Sequence, residues 1–134
     1  MPSWPQEAID VCREALRIKP DFAPAYNNLG NVFRLLHRGQ EAVQAYSSAI
    51  RLDPYFADAF NNLGATHADL QQYEQALAAW RQAVRIKPDF VQARYNLGGL
   101  YRHMGKRDEA LKEAESLRAF DPAMADRLVG EIGK

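Results

Sequence analysis

Three asparagines stand 34 residues apart, Asn28, Asn62 and Asn96, each directly before a Leu-Gly pair. A carboxamide offers both donor hydrogens and an acceptor oxygen, so a row of them can pair with peptide backbone whatever side chains that backbone carries. Asparagine is a mediocre helix-interior residue, several tenths of a kcal/mol worse than alanine, because its side chain competes for backbone hydrogen bonds. Recognition of bound backbone would account for its recurrence. The alternative is that each amide bridges to the next unit, or is inherited with a duplicated unit.

Other chemistry lacks residues to carry it. The histidines His37, His67 and His103 show no helical ligand spacing, no HExxH is present, and the single cysteine, Cys12, cannot make a zinc site. His67 lies on an apolar stripe, as a hydrogen-bonded core histidine would, and His37 falls in a solvated turn. There is no GxSxG elbow, no glycine-rich phosphate loop and no nucleophile beside a base. Asp58, Asp69 and Glu74 fall singly on polar faces, the ordinary place for carboxylates. No catalytic residue, cofactor or metal is expected.

The charges balance, 17 basic against 17 acidic, which leaves no cationic field for phosphate backbones and argues against nucleic acid. No apolar run is long enough to span a membrane, and MPSWPQEAID does not read as a signal peptide. One cysteine suits a reducing compartment, so the cytoplasm is expected. An apolar content of 47% over 134 residues suits one globular domain.

The elements that position the asparagines follow the same period. Pro20, Pro54, Pro88 and Pro122 recur within IKPDF, LDPYF, IKPDF and FDPAM, with Ala8, Ala42, Ala76 and Ala110 twelve residues upstream. Self-similarity at this period predicts a solenoid of stacked units, which builds an extended surface for partners. Within one unit, Tyr26, Leu29, Val32, Phe33 and Leu36 form one helical stripe, and Ala42, Val43, Tyr46, Ala49 and Ile50 a second. His37-Arg38-Gly39-Gln40 is the turn between them, with Gly39 expected to stop the first helix. The second helix ends before Pro54. Gly30, Gly64 and Gly98 occupy one mid-helix slot at a cost of ~0.5–1 kcal/mol each relative to alanine, which predicts a neighbouring helix pressed against that point. Phe33, Tyr46, Phe60, Trp80 and Tyr101 would fill the gaps.

These residues resemble the tetratricopeptide repeat family. The first unit supplies Tyr26, Leu29, Gly30, Phe33, Ala42, Tyr46, Ala49 and Pro54. The second supplies Phe60, Leu63, Gly64, Ala76, Trp80, Ala83 and Pro88, with His67 where an aromatic is usual. The third supplies Leu97, Gly98, Tyr101, Ala110 and Pro122, and departs at Arg94, Ala114 and Leu117. The resemblance implies an all-α fold, an alpha-alpha superhelix (TPR solenoid) wound to the right, as a single domain over 1–134. Its parts would be a half repeat at 5–22, repeats at 23–56, 57–90 and 91–124, and a capping helix at 125–134.

It also implies a function, because such arrays commonly bind extended peptides along their concave groove. The asparagine ladder is similar to that of the O-linked N-acetylglucosamine transferase array. Packed helices lie about 8–10 Å apart and an extended chain rises about 3.3 Å per residue, so one amide would meet a bound peptide at about every third residue. Flanking residues on that face are Asn27, Asn31 and Arg34, then Asp58, Asn61 and Asp69, then Tyr95, Arg102 and His103, with small Ala65 and Gly99 leaving room. The plainer role for the charges among them is a solvated groove wall. Arrays that clamp acidic chaperone tails use cations where Asn27, Gln92 and Asn96 stand here, which argues against that subtype. The expected function is non-catalytic binding of a protein or peptide in the groove. One alternative is a self-assembling scaffold, a homo-oligomer formed through an uncovered apolar face of residues 5–19, which a charge at Cys12 or Leu16 would abolish. Another is the substrate-recruiting piece of a larger enzyme such as a glycosyltransferase.

Overall fold

The computed structural model describes residues 4–133, which form eight helices and no strand. They are α1 (Trp4–Ile18), α2 (Ala23–Leu35), α3 (Gly39–Leu52), α4 (Ala57–Asp69), α5 (Tyr73–Ile86), α6 (Val91–His103), α7 (Arg107–Arg118) and α8 (Pro122–Ile132). α2 packs on α3, α4 on α5 and α6 on α7; α1 and α8 flank these pairs. No helix among the described residues is long and apolar enough to cross a membrane.

The turn inside each pair is closed by backbone. In the first, Arg38 N–H donates to Phe33 O at 2.8 Å and His37 N–H to Arg34 O at 3.0 Å, the Schellman pattern that ends a helix on a left-handed residue. That residue is His37, at φ 57°, so Gly39 does not stop α2 as expected but opens α3. Gln71 (φ 59°) and Gly105 (φ 75°) repeat the arrangement.

The mid-helix glycines have the neighbours their recurrence predicts. A Cβ on Gly30 would stand 2.6 Å from Tyr46 Cε1, and one on Gly64 2.9 Å from the Trp80 indole. In the third unit the corresponding residue of α7 is Ala114, which is too small to fill the slot. Leu128 of α8 fills it, with its Cδ2 2.5 Å from where a Gly98 Cβ would be. Burying such a side chain contributes about 2–3 kcal/mol, so α8 completes the core of the last pair. It begins at Pro122, because Asp121 caps it, accepting from Met124 N–H at 3.0 Å, and Pro122 takes the first turn.

Arg94 is the other departure. It stands where the earlier units have Tyr26 and Phe60, and its partner Glu113 stands where they have Ala45 and Ala79. The two pair at 3.0 Å and are largely buried, and Arg94 Nε also donates to Pro88 O at 2.6 Å. Burial pushes the Glu113 carboxyl up against the downward pull of Arg94. In α1, Ile9 and Cys12 are buried and Leu16 packs on the same cluster, and burial raises the Cys12 thiol. Cys12 and Leu16 therefore do not form the exposed face; Trp4, Val11 and Ile18 do.

Candidate functional site

The first helices of the three units, α2, α4 and α6, carry the asparagines. Behind them Tyr46 of α3 and Trp80 of α5 press on Gly30 and Gly64, and Leu128 of α8 presses on Gly98. The amides are joined across units, one residue out of the 34-residue register. Asn62 Nδ2 donates to Asn27 Oδ1 at 3.1 Å, and Asn96 Nδ2 approaches Asn61 Oδ1 at 3.5 Å. Asn61 is held in turn by the Trp80 indole, which donates to its main-chain O at 3.1 Å and its Oδ1 at 3.0 Å. Gln92 Nε2 donates to Asn96 Oδ1 at 3.0 Å. Asn27 is nearly buried, at 9% exposure. Asn28 is exposed, and its amide makes no hydrogen bond among the described residues.

Five of the expected residues, Arg34, Asn61, Asn62, Asp69 and Asn96, line a depression of about 360 Å³ over α4, floored by Ala65, Ala68 and Trp80. Each amide there keeps hydrogen-bonding capacity: Asn62 spends one N–H and retains its second N–H and its oxygen. Arg34 Nε and Asp69 Oδ2 close one side at 2.9 Å, an exposed pair that adds little stability. Asn31 lies one turn away, its Oδ1 accepting from Tyr46 O–H at 2.6 Å; burial pushes the Tyr46 phenol up to about 12.

The remaining expected residues stand outside this depression. Asp58 is exposed in the first turn of α4. Tyr95 reaches past α6 to donate to Glu131 of α8. Burial, and then the Glu131 contact, raises the Tyr95 phenol, while that hydrogen bond, and then Arg127, holds the Glu131 carboxyl down. Arg102 is exposed, and the His103 ring lies against Tyr73 of α5, centroids 4.7 Å apart. His67 is hydrogen-bonded as expected, with Nδ1 2.8 Å from Gln72 Oε1, but it is half-buried and not part of the core. Two contributors escaped the sequence reading. Trp80 looks like core yet anchors Asn61, and Ala68 opens the floor where α2 has Arg34. The arrangement presents hydrogen-bond donors and acceptors to whatever enters the depression.

The sequence matches the tetratricopeptide repeat at residues 23–56 and 45–78, and a TPR repeat at residues 66–105. No curated protein matches it. Among solved structures, MamA superimposes with a TM-score of 0.83 at 22% identity over 92% of this chain and 74% of that one, a likeness of fold. YrrB, described as a TPR protein with an unusual peptide-binding site, superimposes with a TM-score of 0.80 at 28% identity over 96% of this chain and 67% of that one.

Proposed function

The chain belongs to the tetratricopeptide repeat family, and on that premise we propose that it is a non-catalytic module that binds an extended peptide or protein segment along the face of α2, α4 and α6. The observation that carries this is the open depression over α4, in which amides from successive units retain donors and acceptors beside small alanines. The inter-unit bonds hold these amides at fixed spacing, which lowers the entropy lost on binding. The similarity to YrrB, a protein described as having a peptide-binding site, supports the reading. Direct contact between segment backbone and the amides gives affinity; Arg34, Asp69 and the residues around them give selectivity. The test is capture of partners from the source cell lysate by the wild type and by Asn28→Ala/Asn62→Ala/Asn96→Ala, with circular dichroism confirming equal helicity. Partners held only by the wild type are expected; identical captures would restrict the amides to bridging the units.

A second reading, self-assembly through α1, is favoured by Trp4, Val11 and Ile18, exposed at 61%, 69% and 70% along one line of the helix. A molar mass that rises with concentration, and ceases to rise in Val11→Glu, would support it; a constant monomer mass would end it.

A further inference from the structure

Next to the groove, between the C-terminal ends of α2 and α4, lies a second cavity of about 860 Å³. Its walls include Asn31, Leu35, Gly39, Thr66, Asp69 and Leu70. Gly39 brings no side chain to it, and Leu70 lies against the point where a Gly39 Cβ would stand. The residue in the same slot of the next unit is Tyr73, likewise the first residue of its second helix. At that later junction the Tyr73 ring lies 4.7 Å from the His103 ring and packs on the core with Met104. The counterparts of His103 and Met104 one unit earlier are Asp69 and Leu70, both of which line the cavity. The positions around an aromatic ring are thus repeated at the first junction, with Asp69 for His103 and Leu70 for Met104, and the ring is not.

Several polar atoms in the wall already have partners, while the His37 ring, which also lines it, makes no hydrogen bond among the described residues. Asn31 Oδ1 accepts from Tyr46, Thr66 Oγ1 donates to Asn62 O at 2.8 Å, and Arg34 pairs with Asp69. The two charges offset each other, so the wall favours a neutral occupant. Arg34 and Asp69 line both this cavity and the groove over α4, so their exposed ion pair is the partition that a side chain crosses, by displacing it, while its backbone stays in the groove. Resting on the groove reading above, we propose that this cavity is a socket for one aromatic side chain of the bound partner segment, seated where Tyr73 sits one unit later. Such a ring would bury about 150–250 Å², which makes it the anchor of the segment.

The socket is tested by amide NMR of the full chain titrated with N-acetyl-tyrosinamide, with N-acetyl-leucinamide as the comparison. Saturable shifts at Asn31, Thr66 and Leu70 are expected with the tyrosine probe alone. They should vanish in Gly39→Tyr, which supplies the missing ring. A Cβ at Gly39 would stand 2.8 Å from Leu70 Cδ2, so Gly39→Tyr/Leu70→Met, which copies the next junction, is measured alongside. No shifts, equal shifts with leucine, or shifts that survive in both variants would overturn the socket. Concentration-dependent shifts at these residues without any probe would assign the cavity to an exposed ring of a second copy, such as Tyr55, and would also overturn it. The probe is too short to need the ladder. A silent socket with asparagine-dependent capture therefore sinks this inference alone, and a responsive socket with asparagine-independent capture sinks the groove reading alone.

Discussion

Replacing Leu128 should reverse the sign of a second substitution. Leu128 is fully buried, and Leu→Ala at such a site costs about 3–5 kcal/mol in lost transfer energy and cavity formation. Gly98→Ala in the wild type places a Cβ 2.5 Å from Leu128 Cδ2. Overpacking of this kind costs about 1–3 kcal/mol, against about 1 kcal/mol gained in helix propensity, so the change destabilises. In a Leu128→Ala background the nearest remaining neighbour is Glu113 Cβ at 3.4 Å, and Gly98→Ala should then stabilise by about 1 kcal/mol. The coupling between the two sites is therefore about 2 kcal/mol. Urea denaturation of the wild type, both single variants and the double variant, followed by far-ultraviolet circular dichroism, measures all four corners. A Gly98→Ala effect that is equal in both backgrounds, or a Leu128→Ala cost below about 1 kcal/mol, would refute the claim that α8 completes the last pair.

Four further outcomes are expected. His37→Gly relieves a left-handed residue at φ 57° and should raise the urea midpoint by the equivalent of about 0.5–1 kcal/mol, whereas Gly105→Ala, at φ 75°, should lower it. Glu113→Ala strands the largely buried Arg94 and should cost about 3 kcal/mol, while Arg94→Tyr/Glu113→Ala, which restores the aromatic and alanine of the earlier units, should be neutral or stabilising in the same assay. Because the folded carboxyl of Glu113 is raised above its ordinary 4.5, the folded state holds the extra proton. The stability drawn from it is present below pH 4.5 and is lost as pH climbs through the raised value, a slope that Glu113→Gln should remove. Tyr46, pushed from 10.0 up to about 12 by burial, likewise favours the folded state while neutral. Stability should fall between those two values as alkali is added, and Tyr46→Phe should flatten that limb while losing about 1 kcal/mol with the Asn31 bond.

The paired helices and the reason for Gly30, Gly64 and Gly98 could be read from the sequence because a repeated slot exposes the constraint that repeats with it. Arg94 and Ala114 were visible as departures, but not what replaced the lost contacts. Glu113 lies 19 residues from Arg94, and Leu128 comes from a helix outside the repeat pattern. The asparagine column was equally visible. That its amides bond one residue out of register, Asn27 to Asn62 and Asn61 to Asn96, depends on how far each helix is rotated about its neighbour, which packing decides. Glycine is the usual left-handed terminator, so the sequence points to Gly39; His37 takes that role instead, and Leu70 packs against Gly39. On α1, the apolar residues face both ways, and only the position of α2 shows that Cys12 is inside and Val11 outside.

The groove itself is tested most directly by photo-cross-linking. A benzophenone amino acid at position 65 stands on the floor of the depression over α4; the same group at position 78 stands exposed on α5, outside the depression. In the source lysate a cross-linked protein is expected from position 65 that is absent from position 78 and lost when Asn62 and Asn96 are alanine. Equal cross-linking from both positions, or cross-linking from position 78 alone, would contradict it.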